Sequence, residues 1–113
     1  MKGKPGRHVP AFVLLQLAKS PNYGLQILND LKETLPVCHL DSAAVYRALN
    51  SLESSGCVLS YDEPEPQNGV VKKYYKITPA GHDELKKMHD DILMRLANLK
   101  YFIKTYEEME EGL

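Results

Sequence analysis

The run that begins at Thr78 and Pro79 constrains the fold more than any other part of the chain. A capping hydroxyl is followed by proline, whose missing N–H costs nothing at the first helical position, and this pair marks a helix start. Beyond it Leu85, His89, Ile92, Leu96, Leu99, Ile103 and Tyr106 alternate steps of four and three, as a heptad seam does. His89 is the one polar member. A helix from Pro79 to about Glu108 spans roughly 45 Å at 1.5 Å per residue. The residues before it can build only a small head, so the overhang calls for a partner. Met88, Phe102 and Met109 widen the apolar face beyond a two-stranded seam, which predicts a helix packed both on its own head and on a second chain.

The head reads as three helices and two strands. VPAFVLLQLAK, from Val9 to Lys19, is apolar nearly all round and predicts a helix covered on more than one side. Ser20 and Pro21 break the chain, and NYGLQILNDLKETL then predicts a second helix with Leu25, Leu28, Leu31 and Leu35 as its buried stripe. Gly24 near its start permits close approach of a neighbour. Pro36 ends it, and Asp41 or Ser42 caps a third helix. There Val45, Ala48, Leu49 and Leu52 share one face, while Ala43, Tyr46, Arg47, Asn50 and Ser54 fall opposite. Gly56 supplies a left-handed terminal residue. CVLSYDE and VVKKYYKI read as two strands joined by PEPQNG, whose prolines and Asn-Gly pair suit a hairpin loop. Period two places Val71, Lys73, Tyr75 and Ile77 on one face. Val70, Lys72, Tyr74 and Lys76 lie on the other, which is expected to face solvent. The fold class is mainly α with a small two-stranded β wing, an α+β arrangement in one compact domain.

The formal net charge of −1 conceals a gradient. Residues 1–50 carry six lysines and arginines against three carboxylates, whereas residues 79–113 carry five against eight. The front of the chain can meet an anion; the tail cannot. No apolar run has the length of a membrane span and the N-terminus lacks the order of a secretory signal, so a soluble cytoplasmic protein is expected. Cys38 and Cys57 are too few for a disulfide framework; Cys57 is expected in the core, while Cys38 beside His39 is the more reactive candidate. His82 and His89, seven apart, read as surface histidines rather than a metal pair. Glycine-rich phosphate loops, metalloprotease motifs and nucleophile elbows are missing from the sequence, so neither an enzyme nor a cofactor or metal is expected.

Three stretches carry a family resemblance: NYGLQIL, SAAVYRALNSLESSGCV and KKYYKITPAGHDEL. Tyr-Arg-x-Leu-x-x-Leu-Glu-x-x-Gly followed by Tyr-Tyr-x-Ile-Thr-x-x-Gly resembles the PadR-type transcriptional regulators, and the single C-terminal helix is similar to the short subgroup. The resemblance implies a winged helix-turn-helix over residues 1–78 and a dimerisation helix over 79–113. It implies a homodimer that represses transcription, with the third helix of each subunit in a major groove of double-stranded DNA. On that reading Ser42, Ala43, Tyr46, Arg47 and Asn50 meet the DNA, with Lys72, Lys73 and Lys76 on the wing. Lys2, Lys4 and Arg7 add charge from the N-terminal arm. Arg47 and Asn50 bear the donors that base edges and phosphates accept, and the start of the helix offers backbone N–H groups. The heptad residues from Leu85 to Tyr106 would form the dimer seam. Phe12, Tyr101 and Phe102 are the candidates for an effector pocket between subunits, with plain packing as the alternative. Two departures matter: the wing loop holds Asp62, Glu63 and Glu65 with no arginine before Lys72, and the chain has no tryptophan on which an effector could stack. A winged helix can also serve as a protein-interaction module, and salt dependence separates that reading from DNA binding.

Overall fold

The computed structural model describes residues 7–112. Its elements are α1 (Val9–Lys19), β1 (Asn22–Tyr23), α2 (Gly24–Thr34), α3 (Ser42–Ser54), β2 (Val58–Pro64), β3 (Val71–Ile77) and α4 (Pro79–Glu111). The all-round apolarity of α1 is used in two directions. Val13, Leu14 and Leu17 are buried in the core shared with α2 and α3, while Phe12 and Leu15 turn to the groove beside α4. Its N-cap, His8, is left-handed with φ 71°, and the His8 carbonyl accepts the Phe12 N–H at 3.0 Å.

The stripe on α2 differs from the leucine pattern. Gly24, Ile27, Leu28 and Leu31 are buried, whereas Leu25 is 48% exposed. The cause lies in α3: the Tyr46 ring covers the start of α2, and a Cβ on Gly24 would lie 2.5 Å from its Cε1. Glycine therefore takes the first place in the i, i+3, i+4, i+7 set, and the leucine beside it faces solvent. In α3, by contrast, Val45, Ala48, Leu49 and Leu52 are all buried, as their spacing predicts.

The wing has three strands rather than two. Asn22 and Tyr23 pair antiparallel with Tyr75 and Tyr74, giving the order β1-β3-β2. Two residues are too few to show a period of two, and the pairing partner lies some fifty positions away, so no local pattern announces this strand. The β2–β3 hairpin closes through Glu65, whose N–H donates to the Val70 carbonyl at 2.8 Å, and Gly69 takes φ 70° in the loop. Tyr75 is buried on the inner face, as expected. The outer face does not simply meet solvent: Tyr74 packs between Tyr23 and Tyr61, at centroid distances of 5.4 and 5.9 Å, and Lys72 is half-buried beside them.

The base of the wing is joined to α4 by a compact junction. Thr78 Oγ1 donates to the Gly56 carbonyl at 2.6 Å and accepts the Gly81 N–H at 3.1 Å. The Thr78 N–H donates to the Cys57 carbonyl at 3.0 Å. Gly81 presses against that same carbonyl, and an added Cβ would overlap it. One hydroxyl thus caps α4 and ties it to the end of α3, and one glycine lets the helix backbone lie against the wing.

The 33 residues of α4 run well past the head. The molecule measures 62 × 28 × 26 Å with a radius of gyration of 17.2 Å. A compact domain of this length has roughly 13 Å. Leu85 and Met88 pack partly against the core, and Arg95 Nε donates to Asp91 Oδ2 at 2.8 Å, holding the Asp91 carboxyl below its ordinary range. Farther along, Leu96, Leu99, Phe102, Ile103, Tyr106 and Met109 are 41–66% exposed.

Candidate functional site

The outward side of α3 is built from its cap upward. Asp41 Oδ1 accepts the Ala44 N–H at 2.8 Å, which leaves the N–H groups of Ser42 and Ala43 at an open helix start. Ser42, Ala43, Tyr46, Arg47 and Asn50 are all exposed. The structure therefore brings together the five helix residues that the sequence singled out, and of these Tyr46 also packs its ring over Gly24. Arg47 makes no ion pair among the described residues. A guanidinium held in solvent beside an amide and a phenol is a set of donors for phosphate or for the acceptor edge of a guanine.

The three wing lysines are not equivalent. Lys72 and Lys76 lie on the outer face and Lys73 on the inner one, with Lys73 Nζ 5.6 Å from the centroid of Tyr75. Across the ladder Lys73 sits opposite Asp62, Lys72 opposite Glu63, and Lys76 opposite Leu59. Lys72 is the most engaged: its Nζ is 3.5 Å from Glu65 Oε2 and 4.7 Å from the Tyr23 ring centroid. Burial first, then the Glu65 carboxylate, pushes the Tyr23 phenol above its ordinary range; Tyr61 is raised likewise by burial and Glu63. The acidic wing loop thus engages Lys72, which the sequence alone offered as an open charge. Lys2 and Lys4 of the arm lie outside the described residues, and Arg7 is exposed close to Asp91.

Phe12, Tyr101 and Phe102 are not brought together within one chain. Phe12 lines an open groove of about 420 Å³ with Leu15, Leu85, Met88, His89 and Ile92. Tyr101 stands nine residues beyond Ile92, roughly 14 Å along the helix at 1.5 Å per residue, and is exposed with Phe102. Tyr101 and Phe102 come from the overhang of α4, which no other element among the described residues covers, so spacing along one helix could not show the separation. Gly24, Tyr23 and Glu65 were missed as members of the site. Gly24 had a signal in its permissive backbone; Tyr23 and Glu65 meet only through the fold, 42 positions apart.

The sequence profile of the transcriptional regulator PadR-like family matches residues 13–87, more than half of the chain. The chain belongs to this family. The PadR match runs from α1 through the wing and into α4, so it covers α3 and the Thr78–Gly81 junction. Solved structures agree with it. A PadR family transcription regulator from hypervirulent Clostridium difficile is 25% identical with a TM-score of 0.73, over 86% of this chain and 99% of that one. A transcriptional regulator from Clostridium thermocellum is 25% identical with a TM-score of 0.72, over 84% and 92%. A conserved protein of unknown function, regarded as a potential transcriptional factor, is 29% identical with a TM-score of 0.67, over 98% and 94%. No curated protein matches the sequence. The protein is a PadR-type transcriptional regulator with a winged-helix fold, and no described helix is long and apolar enough to cross a membrane.

Proposed function

We propose that this PadR-type regulator is a cytoplasmic homodimer that binds operator DNA in a sequence-specific way and represses transcription. The observation that carries the reading is the outward side of α3, where Tyr46, Arg47 and Asn50 stand exposed together. A helix of this length, capped by Asp41 and backed by a rigid core, fits a major groove. Ser42 and Ala43 at its start add phosphate contacts, and Lys76 supplies charge from the base of the wing. The second support is α4, whose exposed leucines and aromatics are what a second copy would cover. Leu85, His89, Ile92, Leu96, Leu99, Ile103 and Tyr106 form that seam. A small-molecule effector that releases the DNA would need both chains, because only a second copy can bring Tyr101 and Phe102 near the groove that holds Phe12.

Arg47→Ala tests the reading. A lost bidentate base contact costs about 1–3 kcal/mol, so specific binding to the operator should fall while the dimer and its melting temperature stay as in the parent. Operator affinity equal to the parent's would remove α3 from the interface. A partner interaction insensitive to salt would favour a protein-binding winged helix instead.

A further inference from the structure

The acidic wing tip stands apart from the rest of the DNA-facing reading. Three carboxylates, Asp62, Glu63 and Glu65, occupy the hairpin end where phosphate-binding wings need cations. Two of them differ in kind. Glu63 is exposed on the strand, whereas the Glu65 side chain is only 16% exposed, and its Oε2 lies 3.5 Å from Lys72 Nζ. The same carboxylate lies a long 3.5 Å from the Tyr23 hydroxyl, whose proton it shares with Gln26 Oε1 at the same distance. Lys72 in turn sits over the Tyr23 ring and has a side chain only 30% exposed. Tyr23 ends the strand that leads into α2, so this trio ties the wing tip to the helix-turn-helix itself.

We infer that Glu65 sets the affinity of the protein for DNA: it holds Lys72 inside the chain, so that Lys76 alone carries the cationic charge of the outer wing face to phosphate. The inference rests on the proposed DNA binding for its consequence, but the tether exists in the free protein. For Lys72 to reach a phosphate it must leave a largely covered carboxylate and an aromatic ring, and it would leave Glu65 unpaired next to the incoming anion. Both effects oppose the contact. Lys76 faces neither obstacle: its ladder partner is Leu59 and its side chain is exposed. The tether also fixes the angle of the wing to α2, so Glu65 and Tyr23 act as positioning residues for the charge that remains.

The test is duplex binding by fluorescence anisotropy over a salt series, with Glu65→Gln, Lys72→Gln and Lys76→Gln beside the parent. Glutamine keeps the size of Glu65, and the hairpin bonds of that residue run through its backbone. Each released lysine adds about 0.9 to the slope of log affinity against log salt, so the two released per bound dimer add about 1.8. Glu65→Gln should steepen the slope by that amount and tighten binding several-fold at low salt, on operator and unrelated duplexes alike. Lys72→Gln should leave the slope where it is, and Lys76→Gln should flatten it. Equal flattening by Lys72→Gln and Lys76→Gln, or no change with Glu65→Gln, overturns the inference. A titration of the Tyr23 phenol by carbon NMR in the free protein reads the tether without DNA. Glu65→Gln should bring that phenol down toward the ordinary range and Lys72→Gln should push it up; a phenol indifferent to both overturns the tether. A parent that binds no duplex defeats the proposed function, and the Tyr23 titration then decides whether Glu65 holds Lys72.

Discussion

At Arg47 a guanidinium stands exposed, with no ion pair among the described residues, one position from a tyrosine that is anything but idle. The Tyr46 ring lies across Gly24, at the closest point between α2 and α3. That contact fixes where the phenol points on the exposed side. Gly24→Ala should push the ring aside, because the new Cβ would stand 2.5 Å from Cε1 and the ring is the movable partner. The loss of one aligned hydrogen bond is worth roughly 1 kcal/mol, so duplex affinity should drop about fivefold for each subunit engaged while the melting temperature changes little. Unchanged affinity together with shifted Tyr46 ring resonances would show that the phenol has no part in binding. Residues such as Arg47 and Asn50 were legible in the sequence because an amphipathic helix sorts them by spacing alone. Glu65 was not, since nothing in PEPQNG distinguishes a carboxylate that pairs with Lys72 from one that faces water.

Elements were read well where their signals are local and poorly where they are shared. The bounds of α1, the wing strands and the start of α4 follow from proline, glycine and capping residues within a few positions of each end. β1 is different, because two residues become a strand only when β3 arrives beside them. Leu25 is misplaced for the same reason: the stripe of α2 is set by the ring that α3 lays over Gly24. The junction of α3, wing and α4 is the element-scale feature most open to test. Gly81→Ala puts a methyl group into the Cys57 carbonyl, a backbone atom that cannot swing away. Overpacking of this kind costs about 1–3 kcal/mol, and urea denaturation should show the midpoint falling with the slope preserved. A variant as stable as the parent would mean that α4 can shift on the wing without penalty, which the double role of Thr78 argues against.

For the whole molecule the decisive property is shape. A radius of gyration of 17.2 Å belongs to a head with a projecting helix, and the projecting part exposes Leu99 at 60% and Ile103 at 54%. Such a surface gains from a second copy, and a two-fold pair of α3 helices matches the symmetry of a palindromic operator. Leu99→Asp should convert the dimer to a monomer in sedimentation equilibrium, because an unpaired charge at the centre of an apolar seam costs several kcal/mol. The head should keep its fold, since Leu99 touches none of its core, and operator affinity should fall as a consequence. A dimer that survives Leu99→Asp would place the interface elsewhere. The central claim, sequence-specific DNA binding, is tested most directly by fluorescence anisotropy against duplexes tiled across the region upstream of the protein's own gene, over a salt series. The expected result is one tile bound far more tightly than the others, with log affinity falling linearly and steeply as log salt rises. Equal binding to every tile, or binding indifferent to salt, would contradict it.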